Sequence, residues 1–226
     1  MSAITTPSTP AAVGVPPVHS PAAPPPTVQT PARYYLAQST LRKFTLDEYH
    51  KMIEEGILID GEPYELLEGS LVKKMSHGSR HDSSLQALFK RILRQLPTGW
   101  DARGQSAVTL IDGSEPEPDV AIVRGDENTY RHRHPGPAEI GLVVEVADSS
   151  LLVDRHDKGS IYARANLPVY WVVNVVDRVI EVYTQPAGTD ETAAYAERDD
   201  FAVGSAVPVV LDGATIGTIA VADVMG

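Results

Sequence analysis

E-P-D-V-A-I-V at 117–123, I-G-L-V-V-E-V-A at 140–147 and D-R-H-D-K-G-S-I-Y at 154–162 are the segments on which the fold turns. Apolar runs such as 119–123 and 140–147, rich in Val and Ile, read as strands covered on both faces. Alternate residues of a strand share a face. Glu145 therefore points the same way as Val143 and Ala147, with Ile140, Leu142, Val144 and Val146 opposite. Asp119 opens the first run and Glu145 lies near the end of the second. An ionised carboxylate in such a place is costly unless it is paired, hydrogen-bonded or bound to a metal. One such acid is explained by a strand end that reaches water. Two of them, followed by a patterned helix carrying a lysine, point to a site.

The spacing predicts that helix to start near Asp154. Ile161, Tyr162 and Ala165 define its buried side. Asp154, Lys158 and Tyr162 form an i, i+4, i+8 stripe that leans toward the sheet. Lys158 can pair with Asp154 or snorkel past the helix edge. Its functional alternative is an ammonium aimed at the carboxylates.

Working outward toward the N-terminus, T-L-D-E at 45–48 matches a capping box and predicts a helix over 45–55. Residues 61–75 read as two short strands meeting at Glu68-Gly69, with Glu65 and Leu67 on one face. Leu85, Leu88, Phe89, Ile92, Leu93 and Leu96 fit a helix over 79–96. His81 falls in its first turn on the buried side, where a donor can meet an anion or carboxylate. Residues 105–111 read as a strand forming a hairpin-like pair with the one at Asp119. The polar loop between the two covered strands holds Arg131, His132, Arg133 and His134, a solvated segment or a phosphate-contacting flap. Toward the C-terminus, P-V-Y-W-V-V-N-V at 168–175 and R-V-I-E-V-Y-T at 178–184 read as strands, with shorter ones near 193–197 and 207–211.

Composition bounds the function classes. The 226 residues suffice for one domain with a substantial core, and the absence of cysteine excludes disulfides and thiolate metal sites. No apolar run approaches the roughly 20 residues that span a bilayer. The N-terminus lacks the basic and hydrophobic regions of a secretory signal, so the expected location is the cytoplasm. A formal charge of −11 is not the footprint of a nonspecific nucleic-acid coat, although it allows a local basic groove. Residues 1–40 are rich in Pro and Ala, hold Arg33 as their one charged side chain, and read as a disordered tail before a domain at 41–226. No Gly-rich phosphate loop, H-E-x-x-H or G-x-S-x-G is present.

Y-E-L-L-E-G (64–69), His81, P-D-V (118–120), V-V-E-V-A-D-S-S (143–150), D-R-H-D-K (154–158), Tyr162 and Y-W-V-V (170–173) occur in an order and spacing that resemble the PD-(D/E)XK nuclease superfamily. Within it they resemble the Uma-type family of restriction endonucleases. The resemblance covers about residues 41–224. It implies an α/β (α+β) fold, a restriction-endonuclease-like mixed β-sheet flanked by helices. It also implies metal-dependent endonuclease activity, with Asp119 and Glu145 as ligands for Mg²⁺ or Mn²⁺ and Glu65 as a third carboxylate. The expected partner is nucleic acid, DNA in the first place, with no membrane and room for a homodimer. At one position the chain departs from the superfamily pattern. Where a lysine usually stands two residues after the glutamate, this chain has Ala147, and Lys158 on the next helix is the natural substitute. His81 is expected to orient a ligand or the phosphate. The alternative is a nuclease-like fold that only binds nucleic acid or protein, without turnover.

Overall fold

The computed structural model describes residues 41–59, 62–111 and 113–226, so the tail expected at 1–40 lies outside the described residues. Thr45 caps α1 (Leu46–Glu54), and the reciprocal bonds of the capping box are both present. The strands β1 (Tyr64–Leu67) and β2 (Ser70–Lys73) pair antiparallel around Glu68 and Gly69, as their sequence predicts. Next come α2 (Ser79–Leu93), β3 (Trp100–Gly104), β4 (Val120–Arg124) and β5 (Ile140–Ala147). A π-helical turn at Val153–Lys158 runs into α3 (Gly159–Arg164). The chain ends with β6 (Val169–Asn174), β7 (Val179–Ala187), β8 (Ala194–Ala202), β9 (Ala206–Leu211), β10 (Ala214–Ala220) and α4 (Ala222–Met225).

Six strands form the main sheet in the order β3-β4-β5-β6-β7-β8, and β9 and β10 form a separate hairpin. Only β5 and β6 run parallel; every other neighbouring pair is antiparallel. The parallel step needs a crossover, which the π-turn and α3 supply. All residues of β5 and β6 are buried. One face of the sheet packs Val120, Ile122, Leu142, Val144 and Trp171 against α2, the β9–β10 hairpin and α4. The other face packs Ala121, Val123, Val143, Tyr170 and Val172 against α3, Leu67 and the segment around Val108. The mixed sheet flanked by helices is therefore observed.

Several boundaries differ from the sequence expectations. Helix α2 stops at Leu93 rather than 96, because Pro97 disfavours helical geometry in the residue before it. Leu93 is left exposed, while Leu96 still packs on the core from the turn beyond. Residues 105–111 form no strand; β3 takes that place in the pair with β4. The chain turns at Gln105, which has φ 45°, and then bonds to Pro116, Pro135 and Ser114 through the N–H groups of Val108, Thr109 and Leu110. Two of these partners are prolines, which have no N–H to return, so no ladder can grow. Val108 and Leu110 are buried all the same.

Ile140 lies with Val143 on the α3 side, not opposite it. Gly141 is passed over in the pairing of β5 with β4, where Leu142 faces Ile122 and Ile140 faces Val123. The extra residue reverses the alternation. A Cβ at Gly141 would come within 2.6 Å of Trp100 and 2.9 Å of Leu211, so only glycine fits there. Strand β8 is longer than expected, and β10 and α4 carry too weak an apolar pattern to be read from sequence.

An ion pair ties the crossover to the sheet. Arg155 of the π-turn donates to both oxygens of Glu181 on β7, which is fully buried and also accepts from Tyr183 at 2.7 Å. Burial pushes the Glu181 carboxyl up, but the Arg155 guanidinium and Tyr183 outweigh it and hold it below the usual range. A depressed carboxylate contributes stability above its unfolded pKa and loses it as pH falls through the folded value. Urea unfolding of Glu181→Gln should show a loss of about 1–3 kcal/mol at pH 7 that shrinks toward acid pH. A loss that stays constant with pH would contradict this assignment.

Candidate active site

The antiparallel register of β4 and β5 sets Val120 across from Val144, and one further step sets Asp119 across from Glu145. Both acids then face the α3 side of the sheet. Asp119 Oδ2 accepts from the Val146 N–H at 2.8 Å and lies 3.1 Å from His81 Nε2. His81 stands in the first turn of α2, with its Nδ1 3.2 Å from Asp82 Oδ1. The histidine thus meets a carboxylate, one of the two roles its position suggested.

From the other side, Lys158 Nζ donates to Glu145 Oε1 at 3.0 Å and lies 3.3 Å from Glu65 Oε1. Tyr162 OH donates to the same Glu145 oxygen at 2.7 Å. Lys158 therefore reaches the strand carboxylate rather than snorkelling outward, and Asp154 instead accepts from the Ser150 hydroxyl. The stripe Asp154, Lys158, Tyr162 is buried throughout. The π-turn underlies this placement, since the Gly159 N–H donates back to the Asp154 carbonyl. Tyr170 OH binds that same carbonyl at 2.9 Å.

Glu65 enters from β1. An isolated bridge between Leu66 and Glu115 seats this strand beside residues 115–117, and Glu65 Oε2 accepts from the Glu117 N–H at 3.1 Å. Asp119, Glu145, Lys158, His81 and Glu65 all line one cavity, and none is more than 7% exposed. Arg131, His132, Arg133 and His134 do not line it. Arg133 is held by Glu139 and lies over the Tyr130 ring. Ala147, two residues after Glu145, is wholly buried among apolar side chains.

The charges are unevenly matched. Burial is the largest influence on Glu145 and pushes its carboxyl up to about 8, against the pull of Lys158. Burial likewise raises Asp154 to about 6. Desolvation alone would push Lys158 down, yet Glu145, Glu65 and Asp154 hold it well above the ordinary lysine range. Lys158 thus stays charged at neutral pH, and the excess of acids is relieved by proton uptake at Glu145. Burial opposes ionisation of Asp119 too, but the bond from His81 outweighs it and holds its carboxyl low.

This donor set fits a hard cation. Both donors to Glu145 converge on Oε1, and His81 and Val146 converge on Oδ2 of Asp119. The second oxygen of each carboxylate has no hydrogen bond shorter than 3.5 Å among the described residues. Four buried acids around one ammonium would be eased by a further positive charge. A tighter set of ligand types also exists. Among the described residues, His77, His81 and Asp119 are the one trio whose ligand atoms all lie within 4.8 Å of one another. Sequence reading passed over His77, although H-G-S-R-H places it four residues before His81.

Residues 46–216 match the family model Uma2, described as "Putative restriction endonuclease". No curated protein matches the sequence. Among solved structures, the crystal structure of a putative nuclease belonging to DUF820 from Anabaena variabilis ATCC 29413 is similar in fold. Its TM-score is 0.55 at 15% identity, over 80% of this chain and 97% of that one. The resemblance read from the motifs is borne out at the level of family and fold.

Proposed function

The chain belongs to the Uma2 family, and from that premise we propose that it is a metal-dependent nuclease hydrolysing phosphodiester bonds of nucleic acid, DNA in the first place. One observation carries the reading. Asp119, Glu145 and Lys158 meet in a single cavity although they come from the residue before β4, from β5 and from the π-turn.

Asp119 and Glu145 would hold a hard divalent ion, Mg²⁺ or Mn²⁺, which supplies Lewis-acid polarisation of the phosphoryl oxygen and an activated water. Lys158 offsets the negative charge that builds on the phosphorane, from a position already fixed by Glu145 and Glu65. Its hydrogen bonds are in place before reaction, so little reorganisation is needed. His81 fixes the orientation of the Asp119 carboxylate through Oδ2. Glu65, the third carboxylate, keeps the ammonium charged and close. Tyr162 fixes the Glu145 carboxylate in the same way through Oε1.

The test is cleavage of double- and single-stranded DNA and RNA by the full chain with Mg²⁺, with Mn²⁺ or with chelator. Cleavage should require the cation and fall by about 10²–10³-fold or more in Asp119→Asn. Cleavage indifferent to chelator would overturn the mechanism. No cleavage of any substrate, with binding retained, would make this fold a binding module.

A further inference from the structure

We infer that His77, His81 and Asp119 form a second cation position that takes a first-row transition ion, of the Mn²⁺, Co²⁺ or Zn²⁺ kind, in preference to Mg²⁺. The inference goes beyond the phosphodiesterase reading and shares Asp119 and His81 with it; an ion held there would take the place of the hydrogen bond between them. Two imidazoles and one carboxylate are a borderline donor set, and imidazole favours transition metals over Mg²⁺.

Geometry supports the assignment. The donor atoms of His77, His81 and Asp119 all lie within 4.8 Å of one another, and the exposed His77 ring, stacked 3.9 Å over His81, needs a side-chain rotation to turn a nitrogen toward the point the other two share. His81 Nε2 and Asp119 Oδ2 are separated by 3.1 Å. Two ligands at right angles around an ion with bonds of about 2.1 Å would lie about 3 Å apart. His81 Nδ1 faces Asp82 Oδ1, the outer carboxylate partner that commonly fixes the tautomer of a metal-binding histidine. A simple His–Asp hydrogen bond would account for His81 and Asp119 but not for His77. Among the described residues His77 makes no side-chain hydrogen bond, yet its ring is laid over His81 at the cavity. Asp119 spans both positions, with Oδ2 on the histidine side and Oδ1, which accepts only a long 3.5 Å bond from Gln105, left for the ion shared with Glu145.

The probe is Co²⁺, whose visible spectrum reports nitrogen ligation directly and without reference to catalysis. Chelator-treated full-length protein is titrated with Co²⁺, alone and in excess Mg²⁺, for the wild type, His77→Ala, His81→Ala and Glu145→Gln. His77 is exposed, so His77→Ala keeps the fold; circular dichroism checks this for each variant. The wild type should give a Co²⁺ spectrum that Mg²⁺ does not displace. His77→Ala should weaken Co²⁺ by roughly 10–100-fold or more, the range seen even for outer-shell partners. Glu145→Gln should leave the spectrum in place. Co²⁺ affinity unchanged within about twofold in His77→Ala overturns the inference, by comparison with that expected loss. Loss in Glu145→Gln but not in His77→Ala also overturns it, while leaving the carboxylate site and the nuclease reading intact. A wild type with no Co²⁺ spectrum overturns it whatever the cleavage assay shows.

Discussion

Lys158→Met lowers metal-dependent cleavage by about 10²–10⁴-fold while the fold and cation affinity persist; that is the expected result of removing a charge that acts on the developing phosphorane. Methionine keeps most of the side-chain volume, so a packing loss does not confound the measurement. An interaction made only in the transition state lowers kcat and kcat/KM together. The variant should also be less stable. Glu145 and Glu65 are left without their ammonium, and removing one partner of a buried pair costs about 3–5 kcal/mol when the other stays ionised. Glu145 can protonate instead. Its folded pKa lies above its unfolded value, so the folded state holds an extra proton, and stability falls as pH rises from the ordinary glutamate range toward about 8. Urea unfolding should therefore show a deficit that is larger at pH 8 than at pH 5. Wild-type turnover in Lys158→Met would remove the lysine from the mechanism. A lysine moved to position 147 should not rescue the variant, because Ala147 is wholly buried among apolar side chains, where a longer charged side chain is costly.

Glu145→Gln should separate cation binding from stability. The amide keeps an acceptor for Lys158 and Tyr162 but loses the charge a divalent ion needs. Saturating Mg²⁺, at about 100 times Kd, should stabilise the wild type by about 2.7 kcal/mol. For a chain of this size that corresponds to about 5–10 °C in Tm. The variant should show almost none of this shift. Without cation the order reverses. Wild-type Glu145 resists ionisation at neutral pH, so the glutamine variant should melt at or above the wild-type temperature at pH 8, with the gap closing toward pH 5. Differential scanning at both pH values, with and without Mg²⁺, measures both effects. Equal Mg²⁺ shifts in the two proteins would place the ion elsewhere.

The parts of this site that sequence revealed are those governed by short-range periodicity. Strand alternation placed Glu145 beside Val143 and Ala147, and helical spacing grouped Asp154, Lys158 and Tyr162. Both patterns survive because burial on each face enforces them. Glu65 was reachable only through the family resemblance, since its approach depends on where a separate hairpin docks. His77 precedes its helix, where no apolar period marks a direction. The misplaced strand at 105–111 has the composition of a strand but faces prolines, and Ile140 changed sides through one unpaired glycine. Such errors arise wherever the partner, rather than the segment itself, decides the outcome.

In the main sheet each strand lies beside its predecessor in the chain. Such an arrangement can be assembled by successive short closures, without the slow search that distant strand pairings require. Asp119, Glu145 and Lys158 all belong to that growing sheet and its one crossover. Glu65 does not; it arrives with a hairpin formed more than fifty residues upstream. The lysine and the strand carboxylates are thus brought together by neighbouring parts of the chain, whereas the third carboxylate is supplied across a long loop closure, so the charge cluster is complete only where the N-terminal hairpin is docked.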